Sequence, residues 1–176
     1  MKKSEYFKQF DIRFASLSLG KHQAEIDIEK AFFEKHINDD IEDASVAVKI
    51  DIEKKENMVH LFFHLSGNLQ TTCDLCLEKL TIPVNQKEVL LLKITDTAKE
   101  SDDETIVYLK NTEYNYNVEQ IIYEYLSTLI PMRKTHQETG DGQCEESMLA
   151  LIEEAKVKKE PIADERWEVL KNIKFE

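Results

Sequence analysis

The sequence is poor in the parts from which most catalytic sites are assembled. Its four glycines stand far apart, at 20, 67, 140 and 142, so no glycine-rich loop can cradle a phosphate. It contains no Gly-x-Ser-x-Gly elbow and no His-Glu-x-x-His helix, the signatures of two common hydrolytic sites. Adjacent carboxylates such as Asp102–Asp103 and Glu145–Glu146 lie in charged surroundings and read as solvated surface. Three cysteines, an odd number, argue against a disulfide framework and for a compartment that keeps thiols reduced. No apolar run approaches the roughly 20 residues that cross a bilayer. The start, MKKSEYFKQFDIRF, has basic residues without an apolar stretch behind them, and so does not read as a secretory signal. The expectation is a cytoplasmic protein that is not an enzyme and has no membrane partner.

Positive charge is also in short supply. Lys and Arg number 23 against 35 Asp and Glu, a net charge of -12 spread along the chain. Tight nucleic-acid binding rests on neutralising phosphates with Lys and Arg. An acidic surface instead repels phosphate at long range and attracts basic proteins. Two short basic clusters, "MRKTH" and "KVKK", are the available footholds for direct RNA contact.

What the chain does have is strand periodicity followed by helix periodicity. Ala24, Ile26 and Ile28 alternate with polar residues. So do Val46, Val48, Ile50 and Ile52, and, after "KKEN", Val59, Leu61, Phe63 and Leu65, which together predict a β-hairpin with a loop of four or five residues. "KAFFEKH" predicts a short helical turn. "LTIPVNQKEVLLLKI" continues as a strand in which Pro83 marks an edge or entry point, and "IVYLKN" adds another after the charged loop 96–105. From Asn117 the period changes: Val118, Ile121, Ile122, Tyr125, Leu126 and Leu129 form a helical stripe, with Asn117 and Gln120 as a capping box and Pro131 as the stop. "CEESMLALIEEAKVKK" and "DERWEVLKNI" predict two further helices, joined by a hinge at "KKEPIA". The fold class is therefore α+β, a mainly antiparallel sheet of N-terminal and central strands with C-terminal helices packed on it. Residues 1–160 are expected to form one domain, with 161–176 as a helical tail.

The chemistry-bearing signal is "TTCDLCLEKL", residues 71–80. Cys73 and Cys76 have zinc-knuckle spacing, and a closed tetrahedral site needs two more ligands. His136 and Cys144, in the polar stretch after Pro131, can complete three thiolates and one imidazole, although their spacing fits no standard half-site. A thiol oxidoreductase is a second reading, but the pair returns to a strand pattern within a few residues and lacks the following helix that lowers a thiol pKa. Two reduced, buried sulfurs without chemistry are the third. His60 and His64 read as solvated strand residues, and His22 and His36 stand alone.

"GNLQTTCDLCLEKLTIPV", "YNVEQIIYEYLSTLIPM" and "ADERWEVLKNI", taken in that order, resemble the bacterial YceD family, the large ribosomal RNA subunit accumulation proteins. The resemblance runs from about residue 45 to the end and more weakly over the N-terminal strands. Here the leucine before the helix-ending proline sits one place closer to Pro131, and Glu165 stands where the family's closing segment usually has proline. Many members carry two or three cysteines after that proline. This chain has Cys144, with His136 upstream, as exchange of a cysteine ligand for histidine or decay of the site would leave it. The resemblance implies a part in large-subunit assembly. With the acidity, it suggests an adaptor that contacts a basic ribosomal protein or assembly factor and reaches rRNA indirectly; direct rRNA binding is the alternative. Tyr114, Tyr116 and Tyr123 are candidate partner contacts, Tyr123 lying off the apolar stripe.

Overall fold

Strict alternation of apolar and polar residues over long stretches produces long strands, because every second side chain can enter one core. A computed structural model describes residues 6–36, 40–96 and 103–156. In chain order its elements are β1 (Asp11–Ile12), β2 (Gly20–Glu29), α1 (Lys30–Lys35), β3 (Asp43–Lys54), β4 (Met58–Thr72), β5 (Lys79–Thr95), β6 (Ile106–Lys110), β7 (Tyr116–Asn117), α2 (Glu119–Thr128), α3 (His136–Thr139) and α4 (Glu146–Ala155). A five-stranded sheet runs β2-β3-β4-β5-β6, and β1 pairs with β7 in a small second ribbon. Neighbours in the large sheet are antiparallel except β5 and β6, which are parallel. The α+β expectation holds, with strands leading and the longer helices at the C-terminal side.

The expected hairpin is β3–β4, paired from Asp43↔Gln70 to Lys54↔Val59. Its connection is shorter than the sequence suggests. Lys54 stays in the ladder, and the Lys55 N–H donates to the Met58 carbonyl at 2.8 Å. One sheet face buries Ile26, Ile28, Val46, Val48, Ile50, Ile52, Val59, Leu61, Phe63, Leu65, Leu90 and Leu92. Its cover comes from the N-terminal phenylalanines Phe10 and Phe14, from Phe32 and Phe33 of α1, and from Val118, Ile122 and Leu126 at the start of and along α2, all in one hydrophobic core. Phe10 and Phe32 rings meet at 5.3 Å between centroids.

Pro83 lies where the sequence places it. β6 pairs only with Leu91–Thr95, so among the described residues the first two-thirds of β5 is an edge on that side. The Thr81 N–H points out from this edge to Asp141. Two residues on, the same alternation points the Pro83 nitrogen outward, where no ladder bond is lost. The capping of α2 differs from the expected box. The Asn117 side chain accepts from the Glu119 N–H at 2.9 Å, whereas Gln120 turns to Glu124 at 2.8 Å instead of reaching back.

A smaller second core sits beyond the end of β4, where Cys73, Cys76 and Leu80 are buried with Leu75, Cys144 and Met148 against them. α4 packs here and buries no residue fully. The predicted hinge, the third helix and the tail 161–176 lie outside the described residues. No described helix is long and apolar enough to cross a membrane.

Candidate metal centre

After Thr72 the chain turns sharply over Cys73–Glu78 before re-entering the sheet at Lys79. Two backbone bonds close the turn: the Leu77 N–H donates to the Cys73 carbonyl at 3.0 Å, and the Cys73 N–H to the Glu78 carbonyl at 2.8 Å. Leu77 takes φ 62°, a left-handed conformation that bends the chain back. The resulting knuckle is stitched to the segment after α2. The Asp74 N–H donates to the Lys134 carbonyl at 2.7 Å, and the Lys134 N–H donates to the Asp74 carboxylate at 2.6 Å. The Lys134 ammonium meets Asp40 at 2.5 Å, and this hydrogen bond, ahead of opposing burial, holds its pKa above the ordinary lysine value.

That stitch delivers His136. Thr135 caps the single turn of α3 by accepting from the Glu138 N–H at 3.3 Å, and Gly140, at φ 73°, ends it in the left-handed region. Asp141 accepts from the Thr81 N–H at 2.7 Å, pinning the loop to the edge of β5 and returning Cys144 to the knuckle. His136, expected in an irregular polar loop, is thus a buried helical residue, 7% exposed.

Cys73, Cys76, His136 and Cys144 offer ligand atoms that all lie within 4.8 Å of one another. Sγ of Cys73 and Cys144 are 3.8 Å apart; His136 Nδ1 is 3.4 Å from Cys76 Sγ and 3.6 Å from Cys144 Sγ. A regular zinc tetrahedron with Zn–S of about 2.3 Å and Zn–N of about 2.0–2.1 Å has edges of about 3.8 Å between sulfurs and about 3.6 Å between sulfur and nitrogen. The three separations fit those edges. They do not fit a disulfide, whose sulfurs sit about 2.05 Å apart, and all three cysteines are free. His136 Nε2 lies 3.2 Å from the Lys79 carbonyl. A hydrogen bond donated there leaves the Nδ1 lone pair facing the sulfurs, the usual way an outer partner fixes a ligand histidine.

The electrostatics suit a cation. Burial alone would raise the Cys73 thiol, but backbone N–H groups of Cys76, Leu75 and His136, with the Cys76 side chain, bring it down to about 6. Cys144 is pushed up to about 11 by desolvation and by the two neighbouring sulfurs. Three sulfurs so close repel one another as thiolates, and a divalent ion between them removes that conflict. The same four residues can hold a metal ion, and the knuckle has no long helix behind it to support thiol exchange.

The three tyrosines differ in exposure. Tyr114 is 67% exposed. Tyr116 is half-buried in β7 opposite Ile12. Tyr123, expected to face solvent, is half-buried, with its ring stacked on His36 at 4.2 Å and 11°. The cluster beneath it was missed at the level of sequence. Glu119 is 7% exposed in the first turn of α2, held by Lys35 Nζ at 2.6 and 2.8 Å, with His36 Nε2 at 3.2 Å. The available signal was a carboxylate beside the buried stripe that begins at Val118. His60 and His64 are half-buried on the outer sheet face, His64 lying 3.4 Å from Asp51.

Neither a curated protein nor a solved structure matches the chain. The profile described as "Large ribosomal RNA subunit accumulation protein YceD" matches residues 61–174, a span that takes in the knuckle, α2 and α4. On this match, which covers well over half of its length, the chain belongs to the YceD family.

Proposed function

We propose that the chain is a non-enzymatic cytoplasmic adaptor in large ribosomal subunit assembly, supporting rRNA accumulation through a basic ribosomal protein or assembly factor. The family description supports the process. The observation that carries the mechanism is the net charge of -12, which favours a cationic protein partner over bare RNA. In this reading Cys73, Cys76, His136 and Cys144 hold one structural zinc ion that joins the end of the sheet to the α3–α4 region. The fit of their separations to a tetrahedron supports that assignment. Affinity capture from cells under gentle salt is expected to recover ribosomal proteins or large-subunit precursors; recovery of neither rejects the adaptor.

One observation favours direct rRNA contact as a second reading. The outward positions of β4, β5 and β6 number twenty and include no Asp or Glu, but include Lys79, Lys87, Lys93 and Lys110 with Phe62 and Tyr108. Bases stack on such rings and phosphates pair with such lysines. The cluster in "MRKTH" offers less than its sequence suggests, because Lys134 meets Asp40 and Asp74, Arg133 lies 3.6 Å from Glu138, and His136 is buried. Direct binding requires an affinity for an rRNA fragment that falls steeply with salt; a flat response removes it. Thiol oxidoreductase activity is least supported, since Cys73 is fully buried and Cys76 is 2% exposed. No turnover of a disulfide substrate is expected.

A further inference from the structure

We infer that the knuckle and α4 form a docking groove for a basic amphipathic segment of a partner protein, one that presents leucine-like side chains between lysines or arginines. This inference rests on the adaptor reading and gives it a location. A groove of about 570 Å³ opens beside the metal centre, and its walls include Leu75, Gln137, Gly142, Cys144, Glu146 and Leu149. Leu77 follows Cys76 in the same knuckle, two residues beyond the wall residue Leu75. It is 68% exposed and also holds the left-handed φ of 62°.

Those two features are costly together. A β-carbon is disfavoured in the left-handed region, and glycine would remove that strain. A large exposed apolar side chain contributes nothing to folding. In the free chain Leu77 is therefore a poor choice twice over, and it becomes a favourable one only where something covers it. On α4 the wall residue Leu149 is also exposed, at 40%.

Charge identifies the occupant. The two segments that build the groove, 71–78 and 136–155, carry eight carboxylates and no Lys or Arg. The cations that flank these segments are engaged or peripheral. Lys134 is paired with Asp40 and Asp74, Arg133 faces Glu138, Lys156 pairs with Glu153 at the end of α4, and Lys79 begins β5. Apolar side chains carried on acidic segments, with Glu146 in the groove wall, select a cationic, amphipathic partner. They disfavour RNA. They equally disfavour a second copy of this chain, which would bring the same eight carboxylates to the contact.

The test uses the full, metal-loaded chain and two synthetic 18-residue helical peptides, one with Leu on a single face and Lys elsewhere, the other with Glu for every Lys. Binding is read by calorimetry for the wild type, Leu77→Gly, Leu77→Asn, Glu146→Lys, and Glu25→Lys as a charge-matched control on β2. The Lys peptide is expected to bind. Both Leu77 variants and Glu146→Lys should weaken it by about five-fold or more, the loss expected when an interface anchor is truncated, while Glu25→Lys changes it by less than about two-fold. Tm is expected not to fall in Leu77→Gly or Leu77→Asn, since both residues tolerate left-handed φ. Unchanged binding in both Leu77 variants overturns the inference. So does equal weakening by Glu25→Lys, equal affinity for the Glu peptide, or a wild-type dimer that Leu77→Gly dissociates. Capture from cells separates this failure from that of the adaptor: equal recovery of ribosomal proteins by wild type and Leu77→Gly rejects the groove alone. No recovery by the wild type rejects the adaptor itself.

Discussion

Gly67 shows how much one residue can decide. It sits opposite Val46 within β4 at φ +148°, and a β-carbon there would lie 2.1 Å from the Ser45 carbonyl oxygen. The obstruction is backbone of the neighbouring strand and cannot swing aside. Gly67→Ala is therefore expected to lower stability by about 3 kcal/mol or more, measured by urea unfolding; a loss below about 1 kcal/mol would mean that the ladder yields. His136 makes the complementary case. If it is the fourth ligand, His136→Cys keeps one zinc per chain and His136→Ala loses it in native mass spectrometry. Retention of full zinc by the alanine variant would remove His136 from the ligand set. Lys134 carries a pH statement. Its folded pKa is raised, so its contribution is complete below the ordinary lysine value and fades only as pH climbs through the raised one. Lys134→Met should cost about 1 kcal/mol, by the same amount at pH 6 and pH 9; a penalty that vanishes at pH 9 would contradict the assigned direction. At this level the sequence was informative about the clustered side chains and silent about their supports. Cys73, Cys76, His136 and Cys144 are legible as candidate ligands because few side chains can bind a metal. Asp74, Asp141 and Lys134, which bring them together, look like any other charged surface residue.

Strands and helices were legible to different depths. β3 and β4 announce themselves by alternation, and α2 by the stripe from Val118 to Leu129, because each buries one face on the same core. The parallel pairing of β6 with β5 was not legible, since a five-residue strand carries no mark of its direction. Nor was α3, a single turn between Thr135 and Gly140 whose existence depends on the stitch to the knuckle. The cap of α2 was half legible: Asn117 serves, Gln120 does not. Asn117→Ala should destabilise by about 1 kcal/mol, with faster amide exchange in the first turn of α2; unchanged exchange there would show the cap to be idle. The α3–α4 region rests on a small core of three buried residues, and α4 buries none of its own. Metal removal should therefore act locally. After chelation, amides of residues 134–155 are expected to lose exchange protection while those of β3 and β4 keep theirs. Uniform loss across both regions, or none, would contradict a zinc ion that fastens this region to the sheet.

Taken as a whole, the chain is acidic but not evenly so. The outward face of β4–β6 is free of carboxylates, whereas the knuckle and α3–α4 carry eight without a Lys or Arg. The two regions make opposite electrostatic offers, and the net charge of -12 tips the balance toward cationic protein. The most direct measurement of that balance is capture of the protein from cells at about 0.15 M salt, where charges more than about 8 Å apart are largely screened, with and without nuclease digestion. The adaptor account expects a basic ribosomal protein or assembly factor to remain bound after the RNA is digested. Loss of all ribosomal material on digestion, together with tight binding of naked rRNA by the purified chain, would contradict it.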